Sequence, residues 1–393
     1  MSAWAGGAAA QSTPGAPEGG LVLGPVAARP RADLTIGVDG NVFNEAANPK
    51  SDTMLTFVPS VELRMRFGRL NVSGTTQTAV AYFHKYANQR SVNPAQDATF
   101  ELPLSRVTAR GFFTAASIRE RPSLEIDLRA RRLVHAYGLG GDIHLLAKTV
   151  VRVQASRAAT DYEGDAVFLH TNLRQALSVR NTAAAASIRH ALTPLTTAVV
   201  QGEWLNDEFR FDASRNARSV RIMSGLEFSR FALVSGVATA GYRRFVPSSP
   251  DVPEYRGFVA AVDVSTVVRG ATRVALRASR DVAYSFDVRH PYYVQTDVAL
   301  SITQRIRENW DAVASGSWQR LRYRASRAAF AEAAGEPTLG SEPRAIGIGA
   351  GIGYRLSGGL RVGVEGRRLR RLSGSPNLDY DGWQLGSTFA YDF

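Results

Sequence analysis

The chain has 393 residues, a formal net charge of +12 and 45% hydrophobic residues, with a slightly negative mean hydropathy. No apolar run approaches the ~18 residues that a membrane-spanning helix needs. The lack of cysteine excludes disulfides, thiolate catalysis and Cys-ligated zinc. All but three of the 47 basic residues are arginine, spread singly along the chain. Nucleic acid is disfavoured as a partner, because its binding proteins concentrate their basic residues in one patch.

Residues 1–33 form a low-complexity segment dominated by Ala, Gly, Pro and Ser. The small residues at 5–11 resemble the cleavage end of a signal peptide, although the basic start and the long apolar middle of such a signal are missing. A flexible tail is the alternative interpretation. We expect a signal-peptide remnant followed by a periplasmic extension, and a single folded unit over residues 34–393.

From Leu34 onward, apolar and polar residues alternate with the period of a β-strand. In the stretch Thr53–Phe67, the apolar side chains of Leu55, Phe57, Leu63 and their neighbours share one face, and charged side chains share the other. Such a stretch is long enough to cross a bilayer at a tilt, with lipid on one side and water on the other. Helical periodicity is nearly absent, so an α/β fold has little support.

Turn signals divide this region into strands whose connections are alternately short and long. Short turns are predicted near 68–69, 105–106, 147–148, 193–194, 231–232, 270–271, 308–309 and 357–359. Longer connections are predicted at 87–97, 118–124, 160–172, 211–217, 246–255, 286–291, 324–344 and 372–381. This pattern predicts one all-β, transmembrane, antiparallel up-and-down barrel of about 18 strands in a bacterial outer membrane, with 16 strands as the alternative. Short turns and both termini would be periplasmic, and the long loops would face outward.

The last stretch, 383–393, alternates large aromatic residues with small polar ones. We expect it to be the closing strand of the barrel and to pair with a first strand at Leu34–Glu45, because a barrel leaves no free edge. Its aromatic residues Phe389, Tyr391 and Phe393 resemble the signal that the outer-membrane insertion machinery reads. Deletion of Phe393 is expected to lower the amount of protein in the outer membrane without changing the pore, and unchanged membrane levels would contradict this role.

Charged side chains on the polar faces are predicted to line the lumen, since arginine at the lipid midplane costs ~2–4 kcal/mol. The candidates are Glu62, Arg64, Arg66, Asp127, Arg129, Arg131, Arg152, Glu203, Arg221, Glu227, Asp263, Arg273, Arg277, Asp297, Arg305, Arg361, Glu365 and Arg367. Two interpretations remain open for this set. The side chains form arginine–carboxylate ladders that tie strands together, or they line a basic passage for an anionic or polar polymer, because a guanidinium binds carboxylate and phosphate with defined geometry.

A glycine stripe marks one late strand, in which Gly347, Gly349, Gly351 and Gly353 fall on a single face. Bare glycine in a strand permits the close approach of another chain segment or sharp coiling. One hypothesis is that the long connection 324–344 leans inward over this stripe and narrows the pore. The alternative is a local kink with no gating role.

Soluble-enzyme chemistry finds no support in the sequence. The six histidines lack metal-ligand spacing, and no zinc-protease, P-loop or nucleophile-elbow motif occurs. No histidine is followed two residues later by the serine that an outer-membrane phospholipase would need. We therefore expect no enzymatic activity and no cofactor or metal.

Several segments resemble the bacterial "putative β-barrel porin 2" family. They are Gly37-Val-Asp-Gly-Asn-Val-Phe43, Gly241-Tyr-Arg-Arg-Phe245, Pro253-Glu-Tyr-Arg-Gly257 and the stretch 271–285. The resemblance covers roughly residues 34–393 and implies an outer-membrane barrel that serves as conduit or accessory for exported polysaccharide. Asp39 and Asn41 of the first segment fit a ligand contact or a local turn equally well.

The resemblance leaves the cargo open. A general diffusion porin for small anionic solutes is the first alternative, and a structural or adhesin-like surface barrel with a plugged lumen is the second. The expected partners are outer-membrane lipid and lipopolysaccharide, the insertion machinery, and polysaccharide with periplasmic export components. Nucleic acid is not expected.

Overall fold

The computed structural model describes residues 20–229, 231–326, 342–356, 358–373 and 378–392, and in it the chain forms a closed antiparallel barrel of 18 strands. The strands are β1 Val26–Asp39, β2 Asp52–Phe67, β3 Leu70–Phe83, β4 Ser91–Pro103, β5 Val107–Glu120, β6 Ala130–Leu146, β7 Thr149–Tyr162, β8 Val179–Thr193, β9 Thr196–Phe209, β10 Ala217–Phe228, β11 Val234–Pro247, β12 Tyr255–Val268, β13 Thr272–Tyr284, β14 Tyr292–Arg305, β15 Trp310–Arg324, β16 Arg344–Arg355, β17 Leu360–Leu372 and β18 Tyr380–Asp392. Each strand pairs with its sequence neighbours, and β18 pairs with β1. The predicted fold class and strand number are confirmed.

The closing ladder runs from Arg31 opposite Asp392 to Asp39 opposite Gln384. The first strand therefore begins upstream of Leu34 and ends before Glu45, so its predicted bounds were wrong. Proline at position 30 hides this start, because proline normally signals the end of a strand. In the structure Pro30 pairs with Val61 of β2 and lies just beyond the last residue that pairs with β18, where its missing N–H is tolerated. A short strand, Leu21–Leu23, folds back on the start of β1.

Short turns and long loops alternate around the barrel as expected for an outer-membrane protein. The short turns lie at 68–69, 104–106, 147–148, 194–195, 229–233, 269–271, 306–309 and 356–359, and the long connections at 40–51, 84–90, 121–129, 163–178, 210–216, 248–254, 285–291, 325–343 and 373–379. The connection 163–178 contains the helix α1 Leu173–Leu177, which Asn172 caps by accepting from the N–H groups of Arg174 and Gln175. No helix within the described ranges is long and apolar enough to cross a membrane.

Large apolar side chains cover the outside of the wall. On β10, Val220 and Ile222 are 50% and 59% exposed, and on β16 Ile348 is 61% exposed. Such exposure over a continuous surface fits contact with lipid rather than water. In β18, Trp383 and Leu385 lie on this face as predicted, and the strand alternation places Phe389 and Tyr391 there too. Phe393 lies outside the described residues.

Buried apolar clusters lie inside the barrel, at the end that carries the long loops. One joins Phe245 and Val259 of the wall to Tyr292 of β14. A second joins Ile126 and Phe286, which belong to two different loops. The core of this protein therefore fills the outer mouth of the lumen, which is where the functional geometry is found.

Candidate functional site

Contacts that skip strands identify the lumen side of the wall. Arg221 on β10 reaches Asp281 on β13 with an Nη1–Oδ2 distance of 2.8 Å, and Arg361 on β17 reaches Asp311 on β15 at 2.6 Å. The opposite face of the same strands carries the exposed apolar residues. The pairing registers then extend this assignment around the whole barrel.

Most of the predicted lining residues share this lumen face by register. They are Glu62, Arg64, Arg66, Arg152, Glu203, Arg221, Glu227, Asp263, Arg273, Arg277, Asp297, Arg305, Arg361, Glu365 and Arg367. Asp127 and Arg129 instead belong to the loop 121–129, which folds into the mouth. Whether any of these side chains contacts cargo stays a prediction.

Arg131 does not lie on the lumen face, so its place in the predicted set was wrong. It shares its strand face with the exposed Leu133, Tyr137 and Leu139, and its Nε lies 3.4 Å from Oε1 of Glu163 at the outer rim. The sequence prediction continued the alternation from positions 127 and 129. Those positions are loop, however, and the strand starts at Ala130 with the opposite phase. Arg132 is the neighbouring residue that faces the lumen, opposite Tyr162.

One charge ladder crosses strands β4 to β7. Asp142 accepts two hydrogen bonds from Arg152, at 2.6 and 2.9 Å, and a second cation, Arg110, lies 3.1 Å away and also contacts Glu101. A neighbouring pair, Arg189 and Glu227, spans β8 to β10. Glu101, Arg110, Asp142 and Arg189 were missed as candidates, although the same alternation would have found them. The ladder supports the strand-tying interpretation, because each arginine has a carboxylate partner.

A second ladder lies where β13 leaves the wall. Arg221 holds Glu203 at 2.9 Å on one side and Asp281 at 2.8 Å on the other. Arg243 donates to Asp281 at 2.7 Å and to Ser219 at 2.9 Å. Asp281 is thus clamped between two arginines that reach it across the lumen face from β10 and β11.

The glycine stripe of β16 leaves space for a third group of charged side chains on the lumen face. A Cβ at Gly353 would lie 2.5 Å from Cζ of Arg361, and one at Gly351 would lie 2.5 Å from Cγ of Glu365. Bare backbone on β16 therefore lets Arg361 of β17 pass over it to reach Asp311 on β15. The hypothesised approach of the connection 324–344 concerns residues that lie largely outside the described part of the chain.

An inner flap lies in the outer mouth of the lumen. We define it as residues 281–284, 292–295 and 321–324 with the connection 285–291. The ladder between β12 and β13 stops at Ala260 opposite Arg280. The ladder between β15 and β16 stops at Arg320 opposite Arg344. Beyond those points β13, β14 and β15 stay paired with one another. Three consecutive residues, Tyr292, Tyr293 and Val294, are 1%, 0% and 1% exposed. A strand in the wall cannot bury both faces in this way, so the flap lies inside the lumen.

The wall and the loop 121–129 hold the flap. On one face, Tyr292 and Val294 pack on Phe245 and Val259 of the wall. On the other face, Tyr293 packs with Leu124 of the loop. Tyr284 donates a 2.6 Å hydrogen bond to Asp207 of β9.

Arg215 adds a tether from the connection 210–216. Its Nη2 donates to the carbonyl oxygens of Ser285 and Pro291. The same guanidinium lies over the ring of Phe209, 4.9 Å from the centroid. Burial lowers the pKa of Arg215, and its Nε and Nη1 have no hydrogen-bond partner within the described residues.

The loop 121–129 meets the flap from the other side. Glu125 accepts a 2.6 Å hydrogen bond from Ser285 and a 3.3 Å one from Tyr323, while its second oxygen has no partner within the described residues. Burial raises the pKa of Glu125 to about 7. Asp127 in the same loop binds Arg371 of β17, at 2.5 Å. The mouth is thus bridged from β17 to the flap by one loop.

The segment Gly37–Phe43 turns out to anchor a loop. Asp39 accepts from the N–H of Asn41 at 2.9 Å, and Asn41 donates to the carbonyls of Glu45 and Asp381. Asn41 is 3% exposed and lies beyond the end of β1, in the connection 40–51. The local-turn interpretation of this motif therefore fits the structure.

The periplasmic end of the lumen carries uncompensated positive charge. Arg29, Arg66, Arg273 and Arg305 lie on the lumen face close to the short turns and the N-terminal end of β1, and all four are exposed. Within the described residues none of them forms an ion pair, whereas Glu62 and Asp263, which lie on the same lumen face, are each paired with an arginine. We call these four arginines the basic vestibule.

The fold, the apolar outer surface and the charged lumen define an integral outer-membrane β-barrel of the channel-forming class. The chain belongs to the family "Putative beta-barrel porin 2", whose model matches residues 13–390. No curated protein matches the chain.

Solved structures of similar fold include a BenF-like porin from Pseudomonas fluorescens Pf-5, with 10% identity, TM-score 0.47 and coverage of 93% of this chain and 99% of that one. OccK3 (OpdO) from Pseudomonas aeruginosa has 10% identity and TM-score 0.46, with 93% and 95% covered. The siderophore receptor PirA from the same species has 10% identity and TM-score 0.44, with 92% and 80% covered.

Proposed function

We propose that this porin is a gated, non-enzymatic channel that conducts an anionic polysaccharide from the periplasm to the cell surface. The observation that carries the proposal is the basic vestibule. Free guanidinium groups at one entrance raise the local concentration of anions there and speed their entry. In this barrel they are at the periplasmic entrance, the side from which an exported polymer arrives.

The outer mouth fits the same role. A barrel of 18 strands is wide enough for an aqueous channel, and the inner flap and the loop 121–129 occupy it instead. A conduit for a large polymer must be closed when idle to preserve the permeability barrier. Closure by loops, rather than by side chains filling the barrel throughout, allows a wide passage when the loops move.

Diffusion of small anionic solutes is the second candidate, and the narrowed mouth favours it. A polymer requires the flap to move, whereas a small solute needs only gaps between the flap and the wall. Both candidates require anion entry at the vestibule, so they differ in the size of the cargo.

Neutralising the vestibule is expected to reduce anion selectivity. In planar bilayers, the wild-type channel should show a reversal potential that favours chloride over potassium, and the triple variant Arg66→Gln, Arg273→Gln, Arg305→Gln should lose most of that preference. The matched control Arg180→Gln, Arg244→Gln, Arg256→Gln removes the same charge from the outside of the wall and should behave as wild type. No channels under any condition, with or without the flap, would refute both candidates and favour a plugged surface barrel.

Secretion separates the two cargo classes. A deletion strain should release much less acidic polysaccharide into the medium, and the vestibule variant should restore release only in part. Normal secretion in the deletion strain, together with anion-selective conductance, would refute the polymer and leave small solutes as the cargo.

A further inference from the structure

On the outside of the wall, one sector of the outer rim carries an unusual concentration of arginine. Arg280, Arg320 and Arg344 stand in one register row across β13 to β16, with Thr296 of β14 between the first two. Arg368 and Arg370 lie on the same face of β17. We call these five residues the lipid-face arginine patch.

Few carboxylates balance this patch. Glu342 contacts Arg320 and Arg322, and Asp381 contacts Arg368. Arg280 donates to the hydroxyl of Thr296 at 2.9 Å. Within the described residues Arg280, Arg344 and Arg370 have no ion-pair partner, so the patch retains a clear positive excess.

Some other outward-facing arginines at this rim are better compensated. Arg244 and Arg256 share Glu254, with Arg256 at 2.8 Å and Arg244 at 3.5 Å. Arg210 lies 2.7 Å from Asp161. Arg180 and Arg218 also face outward without an ion-pair partner among the described residues, so the β13–β17 sector is distinguished by its row of arginines rather than by unpaired charge alone.

The position of the patch identifies what it meets. On β16, Arg344 is followed on the same face by Ile346 and Ile348, which are 50% and 61% exposed. The side-chain surface thus changes from apolar to cationic within one strand, at the long-loop end. In an outer-membrane barrel, that level is the boundary between the acyl chains and the headgroups of the outer leaflet. Arginine is tolerated at this level, whereas it is strongly disfavoured at the midplane.

We propose that this patch binds the phosphate groups of an outer-leaflet glycolipid, with the acyl chains lying against the isoleucines of β16. A guanidinium presents parallel N–H donors that match two phosphate oxygens, and a row of arginines can hold two phosphates of one headgroup. A free inorganic phosphate would gain nothing from the apolar surface below the row. The proposal rests on the position of the barrel in the outer membrane and holds whatever the cargo of the lumen is.

Native mass spectrometry of the purified full-length barrel tests the site with defined lipids. The wild-type protein should bind bisphosphorylated lipid A on the order of tenfold more tightly than the dephosphorylated lipid, as expected for two charge-assisted contacts near the surface. The variant Arg344→Gln, Arg370→Gln should lose this preference. The control variant Arg244→Gln, Arg256→Gln should keep it. Heat-modifiable mobility on gels verifies that each variant is a folded barrel.

Three outcomes would overturn the site. The first is an unchanged phosphate preference in the Arg344/Arg370 variant. The second is an equal loss in the control, which would mean that overall charge and not this patch attracts the lipid. The third is complete competition by low-millimolar inorganic phosphate, which would mean that the arginines take free anions without the lipid.

Discussion

Removal of the inner flap is expected to raise single-channel conductance by about threefold or more, since an 18-stranded barrel without interior loops leaves an aqueous channel. The variant replaces residues 284–292 with a short Gly-Ser linker and so deletes Tyr284, Phe286 and Tyr292. Each large apolar side chain that is fully buried contributes ~1.5–3 kcal/mol. The flap buries several of them, so its inward position is the stable one and the wild-type channel should rest closed.

A point variant refines this result. Arg215→Ala removes the donor to the carbonyls of Ser285 and Pro291 and the contact with Phe209. We expect it to raise the frequency of openings without changing the fully open conductance, because the wall is untouched. Val288→Ser, an exposed position in the same connection, is the matched control. Wild-type conductance in the flap deletion would show that the flap does not limit flow.

Opening is also expected to depend on pH through Glu125. The group lies between Ser285 and Tyr323, with Tyr293, Asp287, Arg215 and His290 nearby. Its buried pKa of about 7 lies above the ordinary value of 4.5, so burial favours the protonated form. The contact with the flap is therefore most stable below about pH 4.5, weakens as the pH rises toward 7 and stays weak above it. Open probability should rise roughly 10- to 100-fold across that window.

Glu125→Gln tests the origin of this dependence, since the amide keeps a hydrogen-bond acceptor and cannot ionise. It should hold the channel in its low-pH behaviour at every pH. His290→Gln, which removes another titratable side chain from the same contact, should leave most of the pH dependence in place. A pH profile that survives in the Glu125 variant would assign the effect to another group.

The sequence predicts the wall well because a lipid-facing strand must alternate. Thr53–Phe67 differs from the observed β2 by one residue at its start, and Trp383 and Leu385 face outward as expected. Which residues of a strand face the lumen is harder to predict where a loop precedes the strand. Arg131 was assigned to the wrong face for this reason. Pairing partners such as Asp142 with Arg110 require the register, which a single strand does not reveal.

The flap escaped prediction because its strands belong to the wall at one end and to the interior at the other. A signal is present in Tyr292-Tyr-Val294, where three consecutive apolar residues break the alternation. Such a run indicates a strand with both faces buried. The tethers Arg215 and Glu125 could not be found from sequence, since each comes from a different loop and meets the flap only through the closure of the barrel.

The flap has one further consequence, which follows from where its ladder ends. With β13 turned inward above Arg280, the edge of β12 from Tyr255 to Val259 has no strand partner on that side among the described residues. Extending the same register would restore those pairs and return the flap to the wall. We therefore expect the movement that opens the axial exit to complete the β12–β13 ladder at the same time, so that opening adds backbone hydrogen bonds to the wall.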